Sequence, residues 1–386
     1  LHDGGCLTAI AGQARVATTT SAFAFWCTGG TGVVTWGNPM CGGDNCRVQD
    51  QLKNVQQVSA TFSAFAAVLA DGTVVTWGDA SRGGDSTQVA DQLRNVWQIH
   101  GSHGAFAAIL QDGAVVSWGH PQYGGDSSLL QPQLCQVRQI TGTAGAFAAL
   151  GHGGLRTWGD AAWGGDSSMV QDQLTNVQQV FATNRAFAAL KADGRIVTWG
   201  HPGYGGDSSK VHDQLHDVVK VVATRHTYGA AFAALRSTGS VVTWGHSLYG
   251  GDSSLVQHRL RNVRHISATL SAFAAVGEDG RVTTWGDAFL GGDSTGVQDQ
   301  LVGVREISAT SGAFAAMADG HIVTWGDASL GGDSSHVATA GLREVFEVHA
   351  TDGAFAAILS DGSVVTWGHL NYGGNSARVQ DQLRKV

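Results

Sequence analysis

Residues 58–93 read Val58-Ser-Ala-Thr61, then Ala64-Phe-Ala-Ala-Val-Leu69, Asp71-Gly72, Val74-Val-Thr-Trp-Gly78, Gly83-Gly-Asp-Ser-Thr87 and Val89-Ala-Asp-Gln-Leu93. Each apolar piece is short, β-branched or aromatic, and bounded by glycine or Asp-Gly. A helix needs about ten or more residues before its first breaker, so these pieces carry strand signatures. Asp71-Gly72 stands between two of them and accepts positive φ at low cost, which marks a tight hairpin. The stretch is predicted to fold as four short antiparallel strands, the make-up of one propeller blade.

The same stretch recurs along the chain. Trp-Gly preceded by Thr or Ser occurs nine times, at Trp36, Trp77, Trp118, Trp158, Trp199, Trp244, Trp285, Trp325 and Trp367, with spacings of 41, 41, 40, 41, 45, 41, 40 and 42. An Ala-Phe-Ala block, from Phe23 to Phe355, and a Gly-Gly-Asp block, from Asp44 to Asp333 with Asn375 in the last copy, keep the same order. Self-similarity at a fixed period is the signature of a repeat architecture. The expected fold is all-β: a β-propeller of nine ~41-residue repeats, one domain over residues 1–386 with a lead-in at 1–12. The last copy stops at Asp381–Val386, where the next first strand would begin, and the earliest match to that strand is Arg15–Thr18. Ends in such phase suit a single closed ring, which hides its strand edges; seven blades with two extra units stacked alongside is the alternative.

The order Val-x-x-Ile-x-Ala, small-aromatic-small, Asp-Gly, Val-x-x-Trp-Gly, Gly-Gly, Val-x-x-x-Leu resembles the RCC1 (regulator of chromosome condensation) repeat. The repeat length is similar to the short form in secreted β-lactamase-inhibitor propellers. The resemblance covers nearly the whole chain, from about Gln13 to Val386, and it implies the propeller fold. It says less about activity, because one fold hosts unrelated roles. Gly-Gly-Asp-Ser stands where the family more often has a glycine-x-Leu-Gly turn, and nine copies replace the usual seven. Guanine-nucleotide exchange on a small GTPase, the best-known activity the resemblance implies, depends on loops this minimal unit lacks. The ubiquitin-ligase role of larger relatives needs a catalytic domain absent here.

Glycine is 55 of 386 residues and charged residues are 14%, where about 25% is ordinary, while 43% hydrophobic residues are enough for a large core. No apolar run approaches 18 residues, so no membrane-spanning helix is expected. A net charge of −8, with 23 Lys and Arg together, gives no basic face for a phosphate backbone, so nucleic acid is excluded as a partner. No phosphate loop, nucleophile elbow or His-Glu-x-x-His site occurs. The chain reads as non-enzymatic, without cofactor or metal.

A residue repeated in every copy is explained by the blade itself. The tryptophans read as packing between neighbouring blades, and the Gly-Gly-Asp-Ser aspartates as Asx turns rather than a calcium ring. The tetrapeptide between Trp-Gly and Gly-Gly varies. Its fourth place holds Cys41, Arg82, Tyr123, Trp163, Tyr204, Tyr249, Leu290, Leu330 and Tyr372, and every tyrosine follows a histidine at the first place: His120, His201, His246 and His369. This pairing reads either as local His–Tyr packing or as a partner-binding rim, since Tyr and Trp are favoured interface anchors. The spacing of 45 comes from four extra residues between Thr224 and Ala231, a segment holding Arg225, His226 and Tyr228; unique insertions often carry function.

The candidate partner-binding residues are therefore Tyr123, Trp163, Tyr204, Tyr249, Tyr372, Arg225, His226 and Tyr228. Cys6, Cys27, Cys41 and Cys46 crowd the first copy and read as candidate disulfides, free thiols or zinc ligands. These cysteines and a start at Leu1 point to a processed protein in an oxidising lumen or extracellular space. The expected function is a protein–protein interaction platform or structural subunit of a larger assembly. A small-GTPase exchange factor or regulator, and a secreted inhibitor or lectin-like binder, are the alternatives.

Overall fold

The computed structural model describes residues 14–28, 30, 32–337 and 344–377. They form nine three-stranded antiparallel sheets, each with its strands in chain order. We number these blades 1 to 9. In blade 2 the strands are Val55–Ala60, Ala64–Leu69 and Val74–Gly78, with Ala60 and Trp77 both opposite Phe65. The middle strand is buried on both faces, from Ala64 to Val68. The chain is all-β and built of propeller blades. The lead-in, residues 1–12, and one half of the expected match of the ends, residues 381–386, lie outside the described residues, whereas the other half, Arg15–Thr18, belongs to the first strand of blade 1.

The blades have three strands, not four. The Val-x-x-Gln-Leu segment turns into 3₁₀ helix instead, as at Ser128–Gln133, Ser168–Gln173 and Thr295–Gln300. Its leucine is buried, as at Leu134, Leu174 and Leu301. A glutamine directly after its first residue, not the one before the leucine, does part of a fourth strand's work: Gln131, Gln171, Gln257 and Gln298 each donate through Nε2 to a carbonyl of the last strand, at 3.0–3.1 Å. In blade 1 Asn45 does the same to the Val33 carbonyl. A carbonyl on an open sheet edge is thereby satisfied by a side chain, and the edge offers less to another strand.

By internal contacts the chain divides into two compact units, residues 1–180 and 181–386, and the boundary falls inside the first strand of blade 5. One joint between consecutive blades recurs inside each unit. In the first, the indole N–H of Trp118 donates to the Gly83 carbonyl of blade 2 at 3.0 Å, and Trp77 bonds Gly42 the same way. In the second, Trp244, Trp285, Trp325 and Trp367 donate to Gly205, Gly250, Gly291 and Gly331. Each tryptophan stacks on the phenylalanine of its own blade, Phe106 on Trp118 with centroids 5.2 Å apart.

Gly83 lies against that phenylalanine at φ +97, where a Cβ would stand 2.6 Å from Phe106 Cδ2. Only glycine fits there, because the conformation is left-handed and the ring leaves no room. The joint's core sets small against large: Ala64, Ala66 and Val68 of blade 2 face Leu93, Val96, Ile99, Phe106 and Trp118. Alanine's small side chain lets the aromatic pair enter, which is why Ala-Phe-Ala and Trp-Gly travel together in every copy.

Candidate protein-binding face

A hydroxyl fixes one end of every blade. Thr61 Oγ1 accepts the Ala64 N–H at 3.0 Å and donates to the Arg82 carbonyl at 3.0 Å. Ser102, Thr143, Thr183, Thr224, Thr269, Thr310 and Thr351 repeat the second bond, to the carbonyls of Tyr123, Trp163, Tyr204, Tyr249, Leu290, Leu330 and Tyr372. This clamp brings the loop between the first two strands to the fourth place of the variable tetrapeptide. The Asp-Gly hairpins sit at the blade's other end, where Gly72 meets the Asn95 backbone.

The residue after each clamp joins a backbone belt from blade to blade. In the first unit Thr20 N–H donates to the Phe62 carbonyl, Phe62 to His103 and His103 to Ala144, at 3.2, 3.0 and 2.8 Å. In the second, Arg225 donates to Leu270, Leu270 to Ser311 and Ser311 to Asp352, at 3.0, 2.9 and 2.8 Å. Asn184 joins through its side chain, donating to the Arg225 carbonyl at 2.8 Å. The nine residues at this position are Thr20, Phe62, His103, Ala144, Asn184, Arg225, Leu270, Ser311 and Asp352, and no two are alike. In a chain whose scaffold residues repeat almost unchanged, this place combines fixed backbone with free choice of side chain. Comparing the copies position by position shows it; the strand pattern does not.

The fourth-place aromatics sit on glycines. A Cβ at Gly104 would lie 2.6 Å from the Tyr123 ring, at Gly145 2.7 Å from Trp163, and at Gly353 2.7 Å from Tyr372. One ring face is covered by backbone and the other stays partly open. In the first unit these rings form a continuous cluster. Phe62 meets His103 at 5.5 Å, His103 meets Trp163 at 5.8 Å, and Trp163 meets Tyr123 at 6.0 Å. The Arg82 guanidinium lies 5.5 Å from the Phe62 centroid and 5.9 Å from that of Tyr123, within cation–π range. The expected His–Tyr packing is present in all four loops, with centroids 4.6–5.2 Å apart.

Tyr204 departs from the expected exposed rim. It is 5% exposed, with the Arg185 guanidinium 5.0 Å from its centroid and its hydroxyl donating to the Thr227 carbonyl. The four extra residues of blade 6 fold over it, so it supports the insertion instead of offering a contact surface. Of the insertion's own residues, Arg225 and Tyr228 are exposed, while His226 stacks on Tyr249 at 4.4 Å. Tyr249 is thus held between His226 and His246, the latter at 4.6 Å. Burial pushes His226 below its ordinary pKa, with Asp287 opposing and His246 adding to the shift.

Cys27, Cys41 and Cys46 are free thiols. Cys41 packs against the apolar cluster of blades 1 and 2, whereas Cys46 faces solvent beside Asp44. Cys6 lies outside the described residues. The turn aspartates are Asx caps: Asp85, Asp126 and Asp252 accept the N–H two residues on at 2.9 Å, which holds their carboxyls below the usual range. Among the described residues, no three His, Cys, Asp or Glu side chains converge as metal ligands would, and no helix is long and apolar enough to cross a membrane.

No family model matches the chain, and no curated protein matches it. Solved structures that align with it include Prp20p from Saccharomyces cerevisiae, at 14% identity over 71% of this chain and 82% of that one, with TM-score 0.39. Human WBSCR16 aligns at 15% identity over 72% and 78%, TM-score 0.38. The computationally designed Ika8 protein aligns at 14% identity over 92% and 95%, TM-score 0.34. At these values the alignments add nothing to the fold read from the strands themselves.

Proposed function

We propose that this chain is a non-enzymatic protein-binding platform, a structural subunit of a larger assembly built on short RCC1-type repeats. The observation that carries this reading is the belt position: nine blades share one scaffold, yet nine different side chains are displayed at one backbone-fixed place. Variation confined to one end of a rigid frame suits recognition of a partner, because the frame's ordering is already complete before binding. Half-buried aromatics seated on glycine beside that belt are the side chains that protein interfaces favour. The net charge of −8 and the lack of a basic face favour a protein over a nucleic acid.

Native mass measured on protein taken gently from its source tests this. A defined complex with a second polypeptide in fixed ratio is expected. A bare chain of 40.0 kDa at all concentrations would overturn the platform reading.

A further inference from the structure

The repeat supplies its own controls, because the same groove between blades exists with different linings. Between blades 2 and 3 it has a volume of about 660 Å³ and is lined by Ser81 and Gln88, with Gln122 at the equivalent place on the next blade. Between blades 6 and 7 it has about 700 Å³, and the equivalent residues are Leu248, Leu255 and Phe289. These three are 67%, 91% and 70% exposed. At the other junctions inside the two units the same places hold Met40, Arg47 and Ser81; Gln122, Leu129 and Ala162; Gly203, Lys210 and Leu248; Phe289, Gly296 and Ser329; or Ser329, His336 and Asn371. Among the described residues, only the junction of blades 6 and 7 holds a large apolar residue at all three places, with Leu248 and Leu255 lining the groove and Phe289 next to the lining residue Ala288.

Two further features meet at this junction. Tyr249 lines the groove and is itself held by His226 of the insertion, so the four-residue insertion of blade 6 abuts the junction that carries the apolar trio. The charged residues lining the groove are Asp252 and Asp287, with no Lys or Arg among the lining. Asp252 Oδ1 accepts the Ser254 N–H, and Asp287 Oδ1 accepts those of Phe289 and Leu290. Each carboxylate keeps its second oxygen outside these bonds. The Ser254 bond also holds Asp252 below the usual carboxylate range, and burial favours neutral His226, so the groove is anionic at neutral pH.

We propose that the groove between blades 6 and 7 docks a protein segment carrying aliphatic or aromatic anchors next to Lys or Arg. The apolar trio removes the anchors from water, and Asp252 and Asp287 meet the basic side chains and reject an acidic segment. This rests on the platform reading and names where and what that platform binds.

The test uses the full chain and arrayed short peptides of three compositions: Leu/Phe with Lys/Arg, Leu/Phe with Asp/Glu, and Ser/Gln with Lys/Arg. The variant Leu248→Ser/Leu255→Gln/Phe289→Gln installs residues this chain already uses at the junction of blades 2 and 3, so its fold is safeguarded. The reverse graft is Ser81→Leu/Gln88→Leu/Gln122→Phe. Basic–apolar peptides are expected to bind the native chain, to bind the first variant at least about tenfold more weakly, and to gain a second site in the graft.

Equal binding to the first variant, preference for acidic peptides, or no peptide binding would overturn the proposal. So would self-association of the chain that the first variant abolishes, because the occupant would then be a second copy. Each of these leaves the platform reading to stand or fall on the native mass.

Discussion

The joint between blades is open to a direct test, because blade 3 carries two tryptophans in opposite circumstances. Trp118 is 4% exposed, donates to the Gly83 carbonyl at 3.0 Å and stacks on Phe106 at 5.2 Å, whereas Trp97 is 58% exposed. Trp118→Phe keeps an aromatic ring for the stack but removes the indole N–H, leaving a buried carbonyl unpaired at a cost of about 1–3 kcal/mol. The smaller ring also leaves a cavity that adds about 1 kcal/mol. The expected destabilisation is about 2–4 kcal/mol. Trp97→Phe should stay within about 0.5 kcal/mol, as exposed substitutions do.

Urea unfolding followed by circular dichroism reads both variants. Because the chain divides into two compact units, the transition that reports residues 1–180 is the relevant one, and a single all-or-none fit should not be imposed. A Trp118→Phe variant as stable as the native protein, or a Trp97→Phe variant equally damaged, would refute the idea that the repeated indole–glycine bond holds the blades together.

Other perturbations follow from single residues. His100 is half-buried, its Nε2 is closed off from solvent with no hydrogen-bond partner, and burial pushes its pKa down to about 4. The unfolded chain binds the proton near pH 6.5, so stability is full above that value and falls by roughly 3 kcal/mol towards pH 4. His100→Ser, copying Ser59 of blade 2, should flatten that stretch of the pH–stability curve, and an unchanged slope would exclude the mechanism. Thr143→Val preserves shape but strips the Ala146 N–H and the Trp163 carbonyl of their partner; a loss of about 1–3 kcal/mol in thermal or urea unfolding is expected, and a neutral result would discount the clamp. Tyr204→Phe removes the hydroxyl under Thr227; amide exchange at residues 225–228 should quicken while blades 7 to 9 keep their protection. Exchange unchanged there would mean the insertion stands without that support.

Much of this architecture is legible in residues 58–93 alone. The strand pieces, the Asp71-Gly72 hairpin and the Asx-turn aspartates all follow from local chemistry, which has no need of distant partners, and so do the His–Tyr pairs of four other copies. The missing fourth strand could not be seen that way. Val89-Ala-Asp-Gln-Leu93 is too short to show a period, and what decides its form is a tertiary fact: a buried leucine and, in blades with glutamine where this copy has Ala90, a side chain that caps the previous strand's carbonyl. The belt is invisible for a related reason, since backbone bonds between blades leave no side-chain signature. Its trace in the sequence is statistical, nine unlike residues beside nine like ones. Tyr204 reads as exposed because the other tyrosines share its motif; only the fold shows the insertion closing over it.

Recognition at the end of the blades that bears the belt is open to direct test. A photo-crosslinking amino acid placed at Phe62 or Leu270, both exposed and on the belt, reports that end. The same probe at Thr73 or Ser363, in Asp-Gly hairpins, reports the opposite one. Irradiated in the native assembly, Phe62 or Leu270 probes should capture a partner polypeptide while the hairpin probes capture none. Capture from the hairpins, with none from the belt, would place recognition at the opposite end of the blades and overturn the proposed binding face.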